Sequence, residues 1–388
     1  MTAEPAWTIS EDRGRAGLRR LEGEWRSLYA RMPGRSSLVS FEACAAHLDH
    51  CLEDPDRVRC VVLSDGREAR AMALLEPRTE RRLGFRIGVW GVLWLNQQAI
   101  HADIVGPDDE ARRVFVPVLA EHLRRHPEGR RLLALGPLER DASLWEGLDR
   151  LDPSDLCLDP NERMRIMDGR QPFAQLEARC SKNFRHNMKA VRRRLAELPD
   201  VQFRLARGAQ ALAAELPVFL EVEASGWKGA GRSAIRHRQG LADYYAALAG
   251  TLDGEHDYCE IHALYTGNRC IASSFNVRTG ATCSMLKIGY DEAYARFSPG
   301  HLLVSHILQY CCADPGIERM SFLGDAPWMR GWPAELVDLQ VVLVNIGGPV
   351  GRVLTTLLRF RLGPLRRLAR RLQPMLRRLG LRVGEERP

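Results

Sequence analysis

The stretch TCSMLKIGYDEAYARFSPGHLLVSHILQYCCADPGIERMSFL, residues 282–323, decides how the rest of the chain is read. Thr282 to Gly289 is an apolar run that reads as a strand. Tyr290-Asp291-Glu292 through Ser298-Pro299-Gly300 is a loop rich in turn residues, leading straight into a helix from His301 to Ala313 and a strand from Arg319 to Leu323. That order puts a helix N-terminus at the end of a strand. The first amides of such a helix lack intrahelical partners and sit at the positive end of its dipole, so the loop is a seat for an anion such as a pyrophosphate. Pro and Gly also precede helices that bind nothing.

Working outward, Cys259–Leu264 and Arg269–Val277 are apolar strands joined by the turn residues Thr266-Gly267-Asn268. With Thr279-Gly280 and the opening run they form an antiparallel meander. Helices are expected at Ala209–Ser225 and Gly240–Leu252, and between them lies Trp227-Lys228-Gly229, a glycine-rich turn continuing to Ser233-Ala234-Ile235. Cys180 to Leu195 reads as a helix capped by Ser181, with Lys182, Arg185, Lys189, Arg192 and Arg193 along one side. That basic face is either a solvated surface or a contact for phosphate or a carrier.

The first part of the chain repeats the alternation. Helices are expected at Leu21–Tyr29 and Phe41–His50, either side of Pro33-Gly34. A hairpin follows from Arg59–Leu63 and Ala69–Glu76 about Asp65-Gly66, then a strand at Gly88–Leu95, a helix at Arg112–Arg125 and a strand at Arg131–Leu135. Asp152 to Gln171 has no clear period and reads as a connection. The expected fold is α/β, of the mixed α+β kind, in two lobes, residues 1–151 and 172–347 joined by 152–171, each a mostly antiparallel sheet flanked by helices. A length of 388 residues suits two such units.

Composition narrows the class. The 45% hydrophobic and 27% charged residues are those of a globular protein. The net charge of +7 is carried by arginine, since Lys182, Lys189, Lys228 and Lys287 are the sole lysines; a GC-rich coding sequence and an anionic partner explain this equally well. The ten cysteines fall in apolar runs and are expected to be reduced. Cys44, His47 and Cys51 would share a helix face, with His50 beside them, but three ligands on one face do not make a structural zinc site, so no metal is expected. Met1–Ser10 has no leader pattern and no apolar run reaches membrane-spanning length, which places the protein in the cytoplasm. Residues 348–388 read as an arginine-rich amphipathic helical tail, broken at Pro364 and Pro374. It suits peripheral membrane contact, an acidic carrier protein or packing on the lobes.

Four of these segments together resemble the GNAT acyltransferases, in particular the BioF2-like/CelD-like branch, which is similar to the FemAB family. They are Ser181-Lys182 with Arg185 and Arg192-Arg193-Arg194-Leu195, Trp227-Lys228-Gly229 with Ser233-Ala234-Ile235, Gly289-Tyr290-Asp291 with Tyr294 and Ser298-Pro299-Gly300, and Gly324-Asp325 with Trp332. The resemblance implies two GNAT-like lobes and an N-acyltransferase. The acyl group would move from a thioester donor, acyl-CoA or acyl carrier protein as co-substrate, to an amine of an amino sugar, amino acid or peptide, with no covalent intermediate and no tightly bound cofactor. No nucleophile elbow is present to argue otherwise.

Lys287, Ser298, Pro299, Gly300 and His301 are then the donor-binding candidates. Asp325 would orient or deprotonate the amine, or simply cap its loop, and Tyr290 would protonate the leaving thiolate, or pack. Lys182, Arg185, Trp227, Lys228, Arg330 and Trp332 would shape the acceptor or carrier entrance. The loop lacks the arginine and double glycine of typical GNAT pyrophosphate loops, and Trp328-Met329-Arg330 stands where relatives carry Tyr-Lys. The FemAB likeness also implies an alternative, an aminoacyl-tRNA-dependent transferase whose basic helix meets phosphate. Its tRNA-using members often carry an inserted helical hairpin that this sequence lacks, so nucleic acid is not the expected partner. A binding module without catalysis is the third reading.

Overall fold

The computed structural model describes residues 6–82, 85–92, 104–139, 143–225 and 234–360, with backbone alone at 160–162. The first half runs β1 (Thr8–Arg13), α1 (Gly14–Arg20), α2 (Glu22–Arg31), α3 (Phe41–His50), β2 (Arg59–Ser64), β3 (Ala69–Arg82), β4 (Phe85–Val92), α4 (Asp109–Arg125), β5 (Leu132–Glu139), α5 (Ser143–Leu148) and β6 (Leu156–Asp168). After α6 (Phe173–Arg179) and α7 (Lys182–Leu195) the same order returns. It runs β7 (Val201–Arg207), α8 (Ala209–Glu223), α9 (Leu241–Thr251), β8 (Asp257–Thr266), β9 (Arg269–Thr279), β10 (Thr282–Tyr290), α10 (Pro299–Ala313), β11 (Arg319–Ser321) and β12 (Glu335–Asn345), closed by α11 (Gly348–Phe360).

All twelve strands form one sheet, in the order β1-β2-β3-β4-β5-β12-β6-β11-β10-β9-β8-β7. In each half four strands run antiparallel to their neighbours, and the fourth meets the fifth in parallel: Val89–Gly91 beside Leu132–Ala134, and Thr282–Ser284 beside Arg319–Ser321. The closing strands are exchanged. β12 lies against β5 of the first half, β6 lies against β11 of the second, and the two pair antiparallel with each other in the middle.

The α/β layering is as expected, but the halves are not separate sheets. The stretch 152–171, read as an aperiodic connection, holds the 13-residue strand β6. Its alternation was hidden because Arg163 and Arg165 project from it toward Asp325 and because its pairing with β12 shifts register between Leu339 and Val341. β12 was also unrecognised. Both edge strands, β1 and β7, went unseen for another reason: TISEDR and VQFRLAR are largely polar and exposed, as edges that resist aggregation commonly are.

Caps mark helix starts as the residues suggest. The Ser40 side chain accepts from the Ala43 amide, Ser181 from Phe184, and Asp108 from Glu110 and Ala111. One apolar core is shared by the two halves, with α1–α3 contributing Leu18, Trp25 and Leu48 and α8–α9 contributing Phe219, Tyr244 and Tyr245. The contact is close: a Cβ at Gly240 would stand 1.6 Å from the His50 carbonyl. Arg35 also crosses to Asp257 on β8 at 2.9 Å. A second core, with Phe115, Leu119 and Leu133, lies under α4, and a third, with Leu303, Ile307 and Met320, lies under α10. The ten cysteines are free and eight of them are buried.

His47 sits on α3 in the shared core, edge-on to Tyr244 at 6.3 Å, with its Nε2 buried and unpartnered. Burial, with Arg78 nearby, lowers its pKa to about 4 from 6.5. The unfolded chain therefore takes up a proton here before the folded one, and stability falls as pH drops below about 6.5. Between pH 7 and pH 5 this group alone should remove about 2 kcal/mol. Denaturant titrations across that range should show a shallower acid slope in His47→Gln than in the wild type; equal slopes would exclude the assignment.

Candidate active site

β10 and β11 pair over three residues and then part. β11 ends at Ser321 and the chain turns to β6, with the Phe322 amide donating to Arg165 O. β10 runs on to Tyr290 beside β9 alone, with a bulge between Met285 and Lys287. The bulge re-phases the strand, so Met285 and Ile288 both face the α10 side, which an uninterrupted strand forbids at that spacing. Beyond Ser284, β10 thus has no strand beside it on the β11 side among the described residues, and the sheet opens there into a wedge.

At its mouth lies a cavity of about 340 Å³, lined among the described residues by β10 (Ile288, Gly289, Tyr290), Glu292 and Ala295 of the following turn, the first residues of α10 and the residue before them (Ser298 to His301), Glu223 and Ser225 at the end of α8, and Trp328. Gly289 is needed for this closure. A Cβ there would come within 2.5 Å of Glu223 Cα, so no side chain could separate α8 from the strand. Ser225 Oγ lies 2.8 Å from Tyr290 O and ties the same junction.

The two halves differ at the helix that follows the wedge. In the first, the start of α4 is filled by its own Asp108 carboxylate, which accepts from two amides, and the first turn adds Asp109 and Glu110. No external anion can share that end. In the second, Ser298 precedes α10 in a left-handed conformation, makes no side-chain cap, and no acid stands in the first turn. Pro299 removes one amide, leaving those of Gly300 and His301 among the helix's unpaired donors. Of the two helix starts, only that of the second half is without an acidic cap.

His301 is held edge-on against Phe184 of α7 at 5.5 Å and Trp328 at 6.1 Å, with Nδ1 buried and unpartnered. Burial lowers its pKa below the ordinary histidine value, so at neutral pH it is an uncharged ring and brings no positive charge to a phosphate. Glu223 is buried, and its Oε2 accepts from the Ile235 amide at 2.9 Å. The sequence reading missed it, although the signal was present: Leu212, Leu216, Phe219 and Glu223 follow one apolar stripe, and a carboxylate on such a stripe calls for a reason.

The remaining expectations divide. Ser298, Pro299, Gly300, His301 and Tyr290 come together around the cavity, whereas Lys287 is half-buried just past the bulge and is not among the lining residues described. Asp325 does not line it either. Its Oδ1 accepts from Arg165 Nε at 2.7 Å, and Arg163 stands 3.4 Å from Oδ2, with Arg330 at 4.0 Å, so this carboxylate clamps its loop to β6 instead of facing an amine. Trp332 is core, packed on Phe184 at 5.0 Å; the indole at the cavity is Trp328. Lys182, Arg185 and Lys189 line, with His186 and Glu177, a separate groove of about 440 Å³ between α6 and α7. Arg192 leaves the basic face for Glu177 and Ser305. Trp227 and Lys228 lie outside the described residues. Among the described residues no cluster of three or more His, Cys, Asp or Glu side chains is grouped as a metal site.

The chain is thus a doubled β-α-β-β-β-α-β unit in which, in the second half, a parted parallel pair places a helix N-terminus at a wedge. Residues 182–330 match the family model described as an acetyltransferase (GNAT) domain, which supports acyl transfer by that part of the chain. Among solved structures the chain is similar in fold to FemX, at 10% identity, TM-score 0.57, covering 86% of this chain and 98% of that one. A conserved protein of unknown function from Bacteroides thetaiotaomicron VPI-5482 gives 10%, TM-score 0.53, and coverages of 84% and 97%. A tandem GNAT protein from the clavulanic acid biosynthesis pathway gives 13% identity, TM-score 0.47, and coverages of 87% and 99%. No curated protein matches the sequence.

Proposed function

We propose that the protein transfers an acyl group from a thioester donor, acyl-CoA or acyl carrier protein, to the amine of an amino sugar, amino acid or peptide, in the wedge between β10 and β11. The observation that carries this reading is the contrast between the two halves: the same strand-helix junction is plugged by Asp108 in the first and left open beside a cavity in the second. The donor's phosphates would meet the amides at Ser298–His301, and its acyl carbonyl would lie against the open edge of β10, where fixed backbone dipoles stabilise the developing oxyanion. Attack by the amine forms the C–N bond and breaks the C–S bond. The amine proton passes to the Glu223 carboxylate, directly or through water, and the thiolate leaves past Tyr290, whose hydroxyl would supply its proton.

Glu223 is buried and lines the cavity, whereas Asp325 lies outside its lining, paired with Arg165, so Glu223 is the better placed base. A second reading, transfer from an aminoacyl-tRNA, draws support from the groove of Lys182, Arg185, His186 and Lys189, which would meet a polyphosphate backbone. Free thiol released from acyl-CoA on adding candidate amines tests the first reading. Thiol release that depends on both protein and amine is expected; no thiol release, with protein- and amine-dependent deacylation of an aminoacyl-tRNA instead, would favour the second.

A further inference from the structure

We propose that the C-terminal segment 348–388 seats the protein on an anionic lipid surface. α11 is fixed to the body by one face. Gly351, Thr355 and Leu358 are buried, the Thr355 hydroxyl donates to Ser154 O at 2.8 Å, and Arg352 pairs with Asp155 at 2.9 Å. Asn345 holds the turn before it, donating to Asp155 and to Gly348 O, each at 2.9 Å.

The opposite face has no cover among the described residues. Val350, Val353, Leu357 and Phe360 recur at helical spacing and are each half or more exposed, between 50% and 64%. They make up four of the ten large hydrophobic side chains exposed among the described residues, concentrated on one helix of 13. Scattered exposed apolar residues are ordinary, but a continuous stripe about 15 Å long marks a surface that meets something apolar.

Charge identifies the occupant. Residues 361–388 hold nine arginines against two glutamates, a formal +7, while residues 1–360 hold 47 basic and 47 acidic residues and balance. The entire net charge of the protein therefore follows directly on the apolar stripe, in a stretch whose leucines recur between the arginines. A second copy of the chain is a poor occupant, since pairing the stripes would bring two such tails together. A nucleic acid offers no apolar surface for the stripe. An anionic bilayer offers both, hydrocarbon for Val353, Leu357 and Phe360 and headgroup phosphates for the arginines. No helix of the described residues is long and apolar enough to cross a membrane. This inference does not depend on the transfer reaction.

The test is co-sedimentation of the full-length protein with vesicles of phosphatidylcholine alone or with phosphatidylglycerol added. Binding to the anionic vesicles should exceed binding to the neutral ones by about tenfold or more and should fall with salt. It should be lost in Val353→Glu/Leu357→Glu and, independently, in Arg366→Glu/Arg367→Glu/Arg370→Glu/Arg371→Glu, whose melting temperatures report that the body is intact. Equal binding to both vesicle types, binding unchanged in both variants, or retention by an acidic carrier protein without any vesicle binding would each overturn the proposal.

Discussion

Glu223→Gln is expected to lower amine-dependent thiol release by about a hundredfold to ten-thousandfold, the usual contribution of a positioned general base. The variant is nearly isosteric. Its side-chain oxygen can still accept from the Ile235 amide, which Glu223 holds at 2.9 Å, so the junction between α8 and β10 should survive. A drop in turnover with donor binding unchanged is the signature of a group that acts in the chemical step. Full activity would exclude Glu223 as the base. A parallel loss of donor affinity would move it from chemistry to the shape of the cavity.

Asp325→Ala should act on stability instead. Asp325 and Arg165 are 10% and 14% exposed at their side chains, and removing the carboxylate leaves Arg165 and Arg163 facing one another on β6 without their counter-ion. Breaking so buried a pair from one side costs about 3 kcal/mol. Equilibrium unfolding should register that loss, while Asp325→Asn, which keeps a hydrogen-bond acceptor, should lose less and retain thiol release. If Asp325→Asn folds with wild-type stability yet is inactive, the Asp325 carboxylate belongs to the reaction and Glu223 is not its base.

These two residues show what the sequence makes legible and what it hides. The strand, loop, helix and strand of Thr282–Leu323 were readable because each signal is local: an apolar run, turn residues, a proline at the helix start. Ser298 to His301, next to those signals, do line the cavity. β6 and β12 were not, because their partners are chosen by tertiary pairing and their charged residues answer to groups more than a hundred positions away, as Arg165 does to Asp325. Asp325 looked catalytic because an acid after a strand at the end of a sheet is free in the sequence; the exchange of β6 supplies the arginines that occupy it. Glu223 was overlooked although its place on the apolar stripe of α8 marks it; what no local signal gives is that the helix faces Gly289 across a gap too narrow for a side chain.

Whether a thioester donor sits in the wedge of the second half is tested by thermal denaturation with and without a panel of acyl-CoAs, in the wild type and in Gly300→Phe. A side chain at Gly300 meets the Tyr290 ring at 3.5 Å and nothing else close by, so it enters the cavity and not the core. A melting temperature raised by a CoA thioester in the wild type, with no rise in an otherwise stable Gly300→Phe, is the expected result. An equal rise in both proteins, or none with any thioester, would contradict the account.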